Sequence, residues 1–269
     1  MEVSTAERSV GRGAEGGVRT RAMDVVTRLL PDLPWSACRR RWPALVAAYR
    51  ALRRHRLRRL PTEARFTQIY RDNHWHGRAS RSGTGSELDQ TTTIRAALPL
   101  LARDLCVRTV LDIPCGDFFW MSEVRWLGLE RYVGADIVDE VIRRNRIDHG
   151  QNVRPTRSFI KLDLMSAPLP EADMILCRDC LVHFAFDDAF RALRNIAGSG
   201  AAYLATTHFA RDRENRDIVT GEWRPLNLER RPFHFPRPLR VINENCTEDG
   251  GTYADKSLGV WRIKDLPTA

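Results

Sequence analysis

Three aspartates each close a short run of β-forming residues: Asp112 in VRTVLDI, Asp136 in RYVGADI and Asp163 in SFIKLDL. In open α/β sheets ligands gather at the carboxyl ends of the strands, where the first strand, a tight turn and a helix N-terminus meet. Asp112 to Phe118 fall at that position. Gly116 lets backbone approach a ligand. Asp117 beside it suits a cationic amine and disfavours a pyrophosphate, so the turn fits an amino-acid-bearing nucleoside better than a dinucleotide. Asp136 lies about 20 residues further on, where a carboxylate can accept both hydroxyl hydrogen bonds of a ribose. Asp163 and Leu164 then offer a carboxylate for an exocyclic amine and an apolar face for a base ring.

Elements able to position these groups can be read in the same stretch. Five β-rich runs, VRTVLDI, RYVGADI, SFIKLDL, ADMILCRD and AAYLATTHF, are separated by the helical spacings of FFWMSEVRWLG, DEVIRRNR and DDAFRALRNIAGSG. Such alternation predicts βαβ units and a parallel sheet, with no clear helix between the third and fourth runs. Ser86, with Asp89 three residues on, predicts an N-cap for a helix running toward Leu105 and kinked at Pro99. RVINEN and SLGVWRI, joined through the turn residues Asp249, Gly250 and Gly251, predict an antiparallel pair at the sheet's edge. Residues between Phe209 and Pro238 are too long and polar for a simple connection. They read as an acceptor lid carrying Asn215, Asp217, Trp223, Arg224 and Asn227, or as a structural cover.

The charge is uneven. Of 269 residues, the first 60 hold 14 arginines against 5 acidic groups, while residues 61–269 hold 29 basic and 29 acidic ones. A neutral body argues against nucleic acid, whose affinity rests on phosphate neutralisation. The basic excess sits in residues 39–60, read as a solvated extension or as a docking arm for an acidic partner. Two regions are therefore expected: a basic, partly disordered extension over 1–60 and a catalytic domain over 61–269. No stretch approaches the roughly 18 uninterrupted apolar residues of a membrane span. The amino terminus shows no secretion signal, so a soluble cytoplasmic protein is expected. The cysteines, several of them inside apolar runs, read as reduced thiols. Cys177 and Cys180 form a CxxC without a second pair, so no metal site is expected.

At the turn after the first run the resemblance becomes specific: Val110 to Phe209 resembles the core of the class I S-adenosylmethionine (SAM)-dependent methyltransferases. The family's glycine-rich turn is reduced here, with Pro114 and Phe118 at the outer glycine positions and only Gly116 retained. The chain is similar to a bacterial subgroup with a PCGDFxWM turn, and it carries that subgroup's other segments as SGTGS (82–86), WRPLNL (223–228) and CTEDGGTYADKSLGVWR (246–262). The resemblance implies a Rossmann-like α/β fold with a mostly parallel seven-stranded sheet and an antiparallel edge strand, and SAM as cofactor. It implies that Gly116 and Asp117 face the methionine portion, Asp136 the ribose, and Asp163 and Leu164 the adenine. Asp112, Cys115, Ile137 and Arg178 complete the expected set. Arg81 can reach the cofactor's carboxylate through paired hydrogen bonds, and Trp75 and Trp120 can wall the site. His183 is the candidate base, with Asp179 to orient it or to bind an acceptor amine, and His208 is the second choice. The implied acceptor is a small polar metabolite methylated at N or O, such as an amino sugar or aminocyclitol of antibiotic-type biosynthesis. An RNA or protein methyltransferase docking through the Arg-rich segment, and a SAM-binding protein without catalysis, stand as alternatives. Oligomeric state is left open.

Overall fold

A computed structural model describes residues 58–150 and 154–267, together with Ala44, Ala51 and His55. The extension expected over residues 1–60, including the proposed docking arm, lies almost wholly outside the described residues. Residues 54–269 form one compact unit. Its elements are α1 (Thr62–Arg71), α2 (Thr92–Asp104), β1 (Thr109–Asp112), β2 (Arg131–Asp136), α3 (Asp139–His149), β3 (Thr156–Lys161) and β4 (Met174–Cys177). They continue with α4 (Phe186–Ala197), β5 (Tyr203–Phe209), β6 (Arg240–Asn243) and β7 (Lys256–Arg262).

The seven strands lie in the order β3-β2-β1-β4-β5-β7-β6. The first five are parallel to one another. β7 runs antiparallel to both β5 and the edge strand β6, so the antiparallel strand is next to last and β6 is outermost. Order reverses between β1 and β4, the crevice where such sheets bind ligands. The carboxyl ends of β1, β2, β4 and β5 and the start of β7 therefore share one rim.

Side chains alternate faces along a strand, and the sheet is covered on both. Leu111, Ile175 and Leu204 join one core cluster with Ala189, Ala192, Leu193 and Ile196 of α4, whose spacing makes a single apolar stripe. Their strand neighbours Val110, Met174, Leu176 and Ala205 join the other, with Ile94 and Leu98 of α2 and Ile142 of α3. No helix among the described residues is long and apolar enough to cross a membrane.

Two helix expectations are corrected. FFWMSEVRWLG forms a single 3-10 turn, Met121–Glu123, rather than a helix. Gly116 and Phe118 adopt left-handed backbone, with φ of 55° and 58°, and Phe118, Trp120, Met121 and Val124 are all drawn into the core. A chain pinned at those side chains does not settle into α-helical repeat. The helix predicted from Ser86 begins at Thr92, because Ser86 ends a 3-10 turn. The Thr91 hydroxyl donates to Glu87 O instead of capping, and the Glu87 carboxylate accepts the N–H groups of Arg78 and Ala79.

Gly134, in β2, fits because it has no side chain. A Cβ there would lie 2.6 Å from Cδ1 of Phe159 and 3.2 Å from Cys115 Sγ, and Phe159 is itself edge-packed on Phe118 and Tyr132. Gly134→Ala is expected to destabilise the domain by about 1–3 kcal/mol through overpacking. Adding Phe159→Leu should recover part of the loss, a coupling read from a double-mutant cycle in urea. Additive losses would refute the contact.

Candidate functional site

The site is built on the turn after β1. The N–H of Gly116 donates to Asp136 Oδ2 at 3.1 Å, and its carbonyl accepts from Asn145 Nδ2 of α3 at 2.8 Å. A segment from before α2 folds over the turn. Ser80 Oγ, Arg81 N and Ser82 Oγ all donate to the Asp117 carboxylate, while Asp117 N donates back to Ser82 Oγ at 3.0 Å. Contact is close enough that a Cβ on Gly116 would sit 2.3 Å from Ser82 Oγ. Asp117, expected to meet an amine, is thus bound into the protein. Arg81 contributes its backbone to Asp117 and lies exposed. Cys115 faces inward, its thiol pushed well above the usual range by burial.

Two carboxylates stand buried at adjacent strand ends. Asp136, 6 % exposed, accepts one N–H on each oxygen, from Gly116 and from Val138. Burial raises its pKa to about 6 against the pull of those bonds. Asp112, 2 % exposed, accepts the Tyr132 hydroxyl, and burial raises it to about 7. Asp163 caps its own turn through Met165 N and Ser166 Oγ. Leu164 belongs to the core, and Ile137 packs half-buried beside Tyr70 and Val138.

At the end of β4 the structure assembles a charge cluster of which sequence reasoning named only half. Arg178 pairs with Glu244 of the segment after β6 through two bonds of 2.7 and 3.1 Å, donates to Gly85 O at 2.8 Å, and lies over the Trp120 ring. Trp120 is therefore a platform for that cation. Asp179 pairs with Lys256 at 2.7 Å and Arg178 at 3.1 Å. These cations hold its carboxyl well below the usual carboxylate range despite burial. Arg178 and Asp179, expected at the cofactor and the acceptor, hold each other and the SGTGS segment. Lys256 and Glu244 were missed; the signal for Lys256 was the tail motif, whose ADK supplies it, while Glu244 lies just before that motif in RVINEN.

His183 lies in the 3-10 turn after β4, 8 % exposed. Its Nδ1 is 2.9 Å from Glu222 O. Because a carbonyl only accepts, Nδ1 carries the proton and Nε2 presents a lone pair. Burial lowers the ring's pKa to about 4, so it is neutral at pH 7. Trp75 stacks on it with centroids 4.6 Å apart. His208 is wholly buried: its Nδ1 accepts Leu228 N, and its Nε2 lies 3.3 Å from Glu229 Oε1 without hydrogen-bond alignment.

The segment between Phe209 and Pro238 behaves as a cover. Leu226, Leu228, Phe233 and Phe235 join the core. Arg224 donates to the carbonyls of Leu181 and Phe184, Asp217 accepts Phe186 N at the start of α4, and Asn215 and Asn227 bond backbone. Of the five residues assigned to the lid, Asp217 and Trp223 remain exposed, Trp223 at 39 % and packed against Tyr253.

Asp112 gives a pH test. Between the ordinary carboxylate value and about 7 the folded chain keeps a proton that the unfolded chain has lost. This group's contribution to stability is therefore present at low pH and lost as pH rises through that window. Asp112→Asn retains an acceptor for Tyr132 and has no proton to lose. Its stability relative to the parent should grow between pH 4 and 7, by up to roughly 4 kcal/mol, and level off above. Urea unfolding at pH 5 and pH 8 measures this, and an equal difference at both would refute the raised pKa.

No family model and no curated protein matches the chain. Among solved structures it is similar to human N-acetylserotonin methyltransferase in complex with SAM, with 17 % identity, 76 % of this chain and 60 % of that chain covered, and a TM-score of 0.48. It is also similar to the magnesium protoporphyrin IX methyltransferase of Synechocystis PCC 6803 with bound SAM, with 15 % identity, 61 % and 81 % covered, and a TM-score of 0.45. The chain's own strand order and the antiparallel β7 give it the Rossmann-like fold of the class I SAM-dependent methyltransferases.

Proposed function

We propose that this protein is a SAM-dependent methyltransferase acting on an N or O atom of a small polar metabolite, of the amino sugar or aminocyclitol kind. The observation that carries the reading is Asp136. It is a buried carboxylate at the end of β2, bonded to the Gly116 N–H of the β1 turn through one oxygen and to the Val138 N–H through the other. A ribose diol fits its remaining lone pairs, and hydroxyl donors would offset the burial that holds its pKa near 6.

When bound, SAM supplies a methyl group already activated by positive sulfur. Positioning then provides much of the rate. Asp136 would hold the ribose, the Gly116 turn the methionine portion, and the end of β3 the adenine. His183 supports the chemistry on the acceptor side: Glu222 O fixes its tautomer and Trp75 its ring plane, leaving Nε2 to take a proton from an acceptor hydroxyl. Its lowered pKa keeps it in the accepting form at every pH above about 5, so this group gives activity no acid limb near neutrality. Asp179 acts at a distance, through Lys256 and Arg178, rather than on the acceptor. The charge balance of residues 61–269 supports a small acceptor over a polyanion.

Calorimetry with SAM and its demethylated product, S-adenosylhomocysteine, tests the reading. Both should bind, and Asp136→Ala should weaken them about tenfold or more by removing charged hydrogen bonds. On a hydroxyl acceptor His183→Ala should lower turnover about 100-fold with SAM affinity unchanged, whereas on an amine the loss should be small. Absence of binding by the parent protein would overturn the function. Unchanged affinity in Asp136→Ala would remove that residue from the site.

A further inference from the structure

The peptide joining Gly116 to Asp117 is held at both of its polar ends by side chains distant in sequence. Its carbonyl accepts from Asn145 Nδ2 at 2.8 Å, and its N–H donates to Ser82 Oγ at 3.0 Å. Asn145 is 2 % exposed and sits on the inward face of α3 beside Val141 and Ile142, where a buried amide is costly unless bonded. Its same nitrogen lies 3.7 Å from Cys115 Sγ. A reason for this arrangement is visible in the turn. No α-helix lies between β1 and β2, so no helix N-terminus fixes the turn, and Gly116 at φ 55° has neighbouring conformations that only glycine visits freely. The usual glycine positions are taken by Pro114 and Phe118, and the direction of the remaining peptide is set from outside.

We infer that Asn145 is a positioning residue for the amino-acid end of the cofactor: by fixing the Gly116 carbonyl it aims the turn at the methionine portion while leaving the nucleoside to Asp136. The inference rests on the SAM reading above. Among the described residues the side-chain bonds of Asn145 go to the turn, so its loss should be felt by ligands that carry the amino-acid end and ignored by those that lack it.

The test compares S-adenosylhomocysteine with 5′-methylthioadenosine, which keeps the nucleoside and lacks the amino-acid end, by calorimetry on the full-length protein. In Asn145→Ala the homocysteine ligand should bind about tenfold more weakly, and methylthioadenosine should stay within about twofold of the parent. Asn145→Ser, which keeps a small donor, should fall between. A helix residue of merely structural importance would move both ligands together, so equal losses, or none, would overturn the inference and leave the SAM reading standing. A parent protein that binds neither ligand would overturn both. If Asn145→Ala does not fold, Asn145→Ser carries the same comparison. Failure of both variants to fold would make the residue a folding requirement and end the positioning role.

Discussion

The Asp117 carboxylate is the point on which the site depends. It draws Ser80, Arg81 and Ser82 onto the turn after β1, and the same segment packs on Trp75. Gly83, next in line, lies so close to Trp75 that a Cβ would meet the tryptophan's own Cβ at 2.9 Å, and Trp75 in turn stacks on His183. Two residues further, Gly85 O is held by Arg178. One carboxylate thus links the turn after β1 to the surroundings of His183. Because charged hydrogen bonds are roughly twice as strong as neutral ones, and Asp117 accepts several, this junction is stiff.

The cluster of Arg178, Asp179, Glu244 and Lys256 serves the far end of that segment at an energetic cost. Burying three charges, with Asp179 partly exposed beside them, is seldom stabilising in itself, since desolvation can exceed the Coulombic gain. What the cluster provides is geometry. A Cβ on Gly85 would lie 3.0 Å from Lys256 Nζ and 3.3 Å from Asp179 Oδ2, so the segment packs closely on the cluster. The SGTGS and ADK motifs, some 170 residues apart in the chain, meet here as the two halves of one contact. Removing either acid would leave a buried cation uncompensated, which is why Asp179 cannot be read as a free acceptor ligand.

Sequence reasoning reached the sheet, the strand ends and Asp136 because those rest on local periodicity and on a rule about where strands end. It placed all seven strands, the pairing of β6 with β7, and the absence of a helix between β3 and β4. It failed where long-range contact overrode local pattern. The apolar spacing of Phe118, Met121 and Val124 looks helical, yet core packing and two left-handed residues produce a 3-10 turn. Asn145 gave no signal, since a polar residue within a charged helix reads as surface. Its inward position became visible only once α3 was laid against the β1 turn. Asp117 and Asp179 were identified as chemically important, but their partners come from residues 80–82 and 256, separations at which no spacing rule operates.

The covering segment shows the same principle acting on function. Its polar groups look suited to an acceptor, yet a buried backbone carbonyl or helix start must be satisfied first. Arg224 goes to the carbonyls of Leu181 and Phe184, on either side of His183, and Asp217 to the first N–H of α4. The Glu222 carbonyl, in the same segment, sets the tautomer of His183. The cover thus supplies both the bonds that tie down the turn around His183 and the one that orients its ring. With Arg224, Asn215 and Asn227 committed to backbone, the ring packed on His183 is that of Trp75, while Trp223, next to Glu222 in the chain, packs on Phe209 and Tyr253. The polar side chains of this segment therefore serve the backbone of the fold before they could serve any ligand, and the groups that the sequence offered to an acceptor are the ones that hold the cover in place.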